Sequence, residues 1–149
     1  MKALNARTKD ETIAYVRQFL SQRAARRQSA QANPLPPETI NFEKQREWLE
    51  GLAKYAELTI GLKAAATPGY QALPVMSADP DFNGYAPSQL FYKLQLMQTN
   101  QLQLSQGEVV FYYTGMAQAV LLDRLLPDWK PLAEQDGVWL EDLLADAVK

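Results

Sequence analysis

The chain contains no histidine and no cysteine. Without imidazole it cannot build a His-dependent catalytic triad or an ordinary zinc site from its own residues. Without thiols it has no disulfides and no cysteine-based metal knot. No apolar run approaches the roughly 20 residues of a membrane span. Charge of one sign is also missing: 15 basic residues face 17 acidic ones, a net charge of −2. That balance gives no reason to expect nucleic acid or a membrane across the whole surface. The segment Met1-Lys2-Ala3-Leu4-Asn5-Ala6-Arg7 carries an early lysine but no apolar stretch behind it, so it does not read as a signal peptide. As written, the chain is expected in the cytoplasm.

What is present suits a globular protein. A length of 149 residues with 47% apolar side chains fits a single domain, residues 1–149, around one core. Thr8-Lys9-Asp10-Glu11 has the form of a capping box, in which the hydroxyl and the carboxylate satisfy each other's orphan backbone donors. Ile13, Val16 and Leu20 follow at helical spacing, and the helix is expected to pass Arg23, Arg26 and Arg27 and to stop before Asn33-Pro34-Leu35-Pro36-Pro37. Pro37 can open the next helix at no hydrogen-bond cost. Ile40, Leu49, Leu52, Ala53, Ala56 and Ile60 mark its apolar stripe, to about Ala65. A short connection predicts that these two helices form an antiparallel hairpin.

From Thr67 to Pro87 breakers dominate, namely Pro68-Gly69, Pro74, Asp79-Pro80 and Asn83-Gly84. Such a long middle loop is a candidate lid or cleft wall. Ser88 opens another helix with Leu90, Leu94 and Met97, although Leu94-Gln95-Leu96 and Leu102-Gln103-Leu104 alternate as a strand would. Val109 to Leu126 is a further helix with Val109, Tyr113, Met116, Val120 and Leu125 inward, and Pro127 ends it. Trp139 to Val148 forms a last amphipathic helix. The expected fold is therefore all-α, with about five helices.

Two features bear on chemistry. Glu43, Glu47, Glu50, Lys54 and Glu57 fall three or four apart and form a polar stripe. One reading is a solvated face with local pairs such as Glu50 with Lys54 or Arg46. Arg17, Arg23, Arg26 and Arg27 make the first long helix basic, and their expected role is to pair with this acidic stripe rather than to bind nucleic acid. The Asp79–Asp81 segment lacks the ligand spacing of a calcium loop and reads as a turn.

The second reading rests on a resemblance. Trp48-Leu49-Glu50-Gly51-Leu52-Ala53 resembles the W-x-N-E-G-[FL]-A signature of gluzincin zinc metallopeptidases, the group of aminopeptidase N-like enzymes, with Leu49 in the place of the usual Asn. Tyr112-Tyr113-Thr114-Gly115-Met116-Ala117 resembles the family's Y-x-K-G-A segment, with Thr114 in the place of Lys. The resemblance covers most of the chain after residue 40. It implies that Glu50 is the third zinc ligand and that Tyr112 donates a hydrogen bond to the oxyanion of the tetrahedral intermediate. It also implies an H-E-x-x-H helix before Glu50, carrying two histidine ligands and the general base, and this chain has no histidine. The expectation is a metallopeptidase-like helical subdomain, a C-terminal fragment or truncated relative, inactive alone. It would use zinc and a peptide substrate only if completed by a His-bearing segment, in a parent that could be exported. The alternative is a non-enzymatic helical interaction module whose exposed apolar faces bind a protein partner or drive self-association.

Overall fold

The computed structural model describes residues 2–29, 34–82, 84–85, 87–102 and 107–149. Asn33, Asn83, Gln103 and Leu104, which the sequence reading used, lie outside these residues. Among the described residues there are eight helices and no strand. They are α1 (Lys2–Asn5), α2 (Lys9–Ser29), α3 (Pro37–Ala66), α4 (Pro74–Ser77), α5 (Ser88–Gln98), α6 (Val109–Leu125), α7 (Trp129–Ala133) and α8 (Leu140–Ala147). The all-α expectation holds. The count of about five does not, because α1, α4 and α7 are single turns too short to show a 3.6-residue repeat.

Local chemistry sets the helix ends. The Glu11 N–H donates to Thr8 Oγ1 at 3.1 Å, and the Arg7 and Thr8 N–H groups donate back to Glu11 Oε2 at 2.9 and 3.3 Å. This is the reciprocal capping box that starts α2. Pro36 and Pro37 begin α3, and Leu126 and Pro127 follow α6. The segment between α3 and α5 is not structureless. It holds α4, and Tyr85 makes edge contacts with Tyr70 and Phe82 at centroid distances of 5.6 and 5.3 Å. Asp79 Oδ1 accepts the Asp81 N–H at 2.9 Å, which closes the turn.

The centre of the fold is the packing of α3 along α6, far more extensive than any packing of α3 along α2. The two long N-terminal helices are linked through arginine side chains instead of packing as a tight hairpin. The crossing of α3 and α6 is set by two glycines. A Cβ on Gly51 would lie 2.4 Å from Gly115 Cα, and a Cβ on Gly115 would lie 2.1 Å from the Glu47 carbonyl oxygen. Only residues without side chains allow backbones this close. Met116, Leu122, Leu140, Leu144 and Trp129 are among the largest fully buried side chains of the core.

Of the apolar stripe expected on α3, Leu52 packs against this core and Ile40 is half-buried, but the rest faces away. Leu49 is 50% exposed and Ile60 63% exposed, and Ala53 and Ala56 are exposed as well. The buried face of α3 runs through Glu43, Glu47, Gly51, Tyr55 and Leu58. Charge pairing explains the inversion, because the two glutamates go inside with arginines. On α6, Met116, Val120 and Leu125 are buried as expected, Tyr113 is half-buried, and Val109 is 49% exposed. No helix among the described residues is long and apolar enough to cross a membrane.

Candidate functional site

Glycine contact brings the two resembling segments face to face. Glu50 is next to Gly51 and Tyr112 lies three residues before Gly115, and the two side chains interact. The Tyr112 phenol is raised above its ordinary pKa of 10.0, first by its hydrogen bond with the Glu50 carboxylate and then by desolvation. A phenol held in this way stays protonated at neutral pH and can donate. Glu50 has a second partner: Arg46 Nη1 lies 3.2 Å from Glu50 Oε1, one helical turn back. Arg46 also pairs with Glu108 and covers the Phe42 ring, its guanidinium carbon 5.8 Å from the ring centroid. Lys54 does not pair with Glu50 but with Glu57, at 2.9 Å. The local-pair reading of the polar stripe therefore holds for Arg46 with Glu50, and fails for Lys54 with Glu50.

Beside this pair lies a second, more deeply buried set that the sequence did not reveal as one unit. Glu47, 3% exposed, accepts from Arg23 Nη1 at 2.5 Å, Thr114 Oγ1 at 2.7 Å and Gln118 Nε2 at 2.9 Å. Glu43 accepts from Arg26 at 2.7 Å and pairs with Arg27 at 3.4 Å. Glu141 of α8 pairs with Arg27 at 2.7 Å and with Arg23 Nε at 3.0 Å. Burial works against the Glu141 charge, but Arg27 and Arg23 more than offset it and hold its pKa below the usual 4.5. Three arginines thus tie α2 to α3 and α8, as the charge complementarity of α2 and α3 predicts for Arg23, Arg26 and Arg27. Arg17 departs from that expectation. It donates to the backbone carbonyls of Val148 and Lys149, each at 2.7 Å.

A third polar cluster joins α3, α6 and α7. Asp123 accepts from Tyr55 Oη at 2.8 Å, Trp129 Nε1 at 2.9 Å and Lys130 Nζ at 3.0 Å. Desolvation pushes its pKa up, yet the hydrogen bonds from Trp129, Lys130 and Tyr55 prevail and leave it below the usual 3.8. Three donors from two other helices converge on this one carboxylate, so the cluster reads as a strut.

The donor set does not fit a hydrolytic zinc. Such a site needs three protein ligands with an open fourth position. Among the described residues no three His, Cys, Asp or Glu side chains converge, and Glu50 stands alone with an arginine as its cation. What the site does supply is one carboxylate, paired with Arg46, and one phenol that interacts with it, on two packed helices. No family model, curated protein or solved structure matches this chain.

Proposed function

We propose that this chain is the helical scaffold of a gluzincin-like metallopeptidase site, inactive by itself, that contributes Glu50 and Tyr112 to a site completed by a histidine-bearing segment. One observation carries the reading: the Gly51–Gly115 contact packs the two resembling segments against each other, and Glu50 and Tyr112 interact there. The glycine crossing also lets α3 pack along α6, so it is the interaction of Glu50 with Tyr112 across it that supports the reading. The resemblance supplies the roles: Glu50 as zinc ligand once Arg46 is displaced, Tyr112 as oxyanion donor. The test begins with the coding DNA upstream of Met1. An H-E-x-x-H segment in frame, or after one frameshift, is expected there. Its product should bind one zinc per chain by elemental analysis and cleave peptides. Glu50→Ala should lose the metal, and Tyr112→Phe should keep the metal but lose rate. If no such segment is encoded, the proposal fails.

A second reading has its own support. Phe42, Leu49 and Ile60 on α3 and Leu90, Leu94 and Met97 on α5 are large apolar side chains left exposed. A non-enzymatic interaction module would use these faces to bind a protein partner or a second copy. Sedimentation velocity across a concentration series checks self-association, and Leu49→Glu and Leu94→Glu should abolish it; a strictly monomeric wild type weighs against it.

A further inference from the structure

Where α1 runs into α2, beside the last turn of α6, a pocket of about 320 Å³ is lined by Arg7, Thr8, Lys9, Thr12 and Arg124. Three of these are cations, and no aspartate or glutamate lines the pocket. That is a local excess in a chain whose net charge is −2. Elsewhere the fold sets its cations against carboxylates, as for Arg23, Arg27, Arg46 and Lys130. The side chains of Arg7, Lys9 and Arg124 form no ion pair among the described residues. Nearby carboxylates are committed elsewhere. Glu11 accepts the Arg7 and Thr8 N–H groups and borders the neighbouring cleft. Asp123 accepts from Tyr55, Trp129 and Lys130. Asp10, the residue after Lys9, is outside the lining.

The donors are partly fixed. Arg124 Nη1 donates to the Leu4 carbonyl at 2.8 Å, which leaves Nε and Nη2 without a protein acceptor among the described residues. The Thr8 oxygen accepts the Glu11 N–H at 3.1 Å, so its own proton remains for an acceptor. Thr8 and Glu11 already cap α2, so the three cations, not the helix end, carry the site.

We infer that this pocket binds a small phosphomonoester. Like charges gathered around one space repel each other, and a bound anion removes that cost. A phosphoryl group carries close to two negative charges at neutral pH and three acceptor oxygens. Guanidinium groups meet such oxygens as two-pronged donors, and an ammonium adds a point charge beside them. A carboxylate would leave two of the three cations unbalanced. The volume suits a phosphoryl group with a body of a few carbons.

Isothermal titration of the full chain with glycerol 3-phosphate, inorganic phosphate and glycerol, at constant ionic strength, tests the assignment. Both phosphates should bind and glycerol should not. Arg124→Gln should weaken glycerol 3-phosphate roughly tenfold, the effect of one hydrogen bond to a charged group. It also releases the Leu4 carbonyl, so its folding is checked by circular dichroism. Arg7→Gln and Lys9→Gln remove side chains that make no contact of this kind in the fold, and each should weaken binding about two- to fivefold. Lys63→Gln and Lys93→Gln remove exposed cations outside the pocket and should leave binding unchanged. Failure of both phosphates to bind overturns the inference. So does equal weakening by Lys63→Gln and Lys93→Gln, because general charge attraction would then explain the binding. Binding of inorganic phosphate alone would overturn the phosphomonoester. Pelleting with vesicles of phosphatidylcholine and phosphatidic acid, without binding of glycerol 3-phosphate, would assign the pocket to a lipid headgroup and overturn the small molecule.

Discussion

Replacing Gly51 with alanine is the sharpest perturbation of this fold. The new Cβ would lie 2.4 Å from Gly115 Cα, 2.6 Å from its carbonyl carbon and 2.8 Å from the Met116 nitrogen. All three are backbone atoms of α6, so no side chain can rotate away. The helices must separate by about 1 Å, and a gap of that size forfeits a quarter to a half of the dispersion energy of the facing atoms. Overpacking of this kind costs about 3 kcal/mol at the upper end of its usual range. Alanine returns roughly 1 kcal/mol as the better helix former. The net loss is about 2 kcal/mol, or about 4–8 °C in Tm for a chain of this length. Urea and thermal unfolding followed by far-UV circular dichroism measure it. Gly61→Ala is the internal control in the same helix. Its Cβ would meet only the Ser88 side chain, the hydroxyl at 2.8 Å, which is free to turn, and the Cβ at 3.4 Å, an ordinary contact, so stability should hold or rise by up to about 1 kcal/mol. If Gly51→Ala is as stable as wild type, the backbone contact between α3 and α6 is wrong.

Other outcomes follow from the charge networks. Arg23→Met leaves the buried Glu47 and Glu141 short of a cation and should cost roughly 3–5 kcal/mol in urea unfolding, far more than Lys149→Met at the surface. Acid should destabilise the fold through Asp123 and Glu141. Both are more acidic folded than unfolded, so their contribution is present above the ordinary values of 3.8 and 4.5 and is lost as pH falls below them. Asp123→Asn and Glu141→Gln should each flatten that part of the stability–pH curve, and unchanged slopes would contradict the assignment. Thr8→Ala should cost about 1 kcal/mol by opening the capping box of α2, read by the same unfolding assay.

Legibility followed the range of the interactions. The start of α2 was readable because Thr8, Arg7 and Glu11 satisfy each other within one turn. The face of α3 was not, because hydrophobic periodicity assumes that glutamates stay outside. Glu43 and Glu47 go inside with arginines, and Leu49 and Ile60 are left out. The pairing of α2 with α3 could be guessed from opposite charges. The third partner could not, since Glu141 lies 114 residues from Arg27, and Thr114 and Gln118 lie 67 and 71 residues from Glu47. Periodicity alone would never single out Gly51 and Gly115. The segment resemblance drew attention to both, and their backbones prove to touch.

The central claim is that this crossing holds Glu50 and Tyr112 as an interacting pair, and titration of Tyr112 tests it most directly. Tyrosines labelled with 13C at the ring Cζ, assigned through Tyr112→Phe, report the phenol by NMR. The wild-type Tyr112 should titrate above 10.0, because the Glu50 carboxylate favours the protonated phenol. In Glu50→Gln that support is gone while Arg46 still favours the phenolate, so the pKa should fall. A Tyr112 pKa that is the same in both proteins would contradict the pairing.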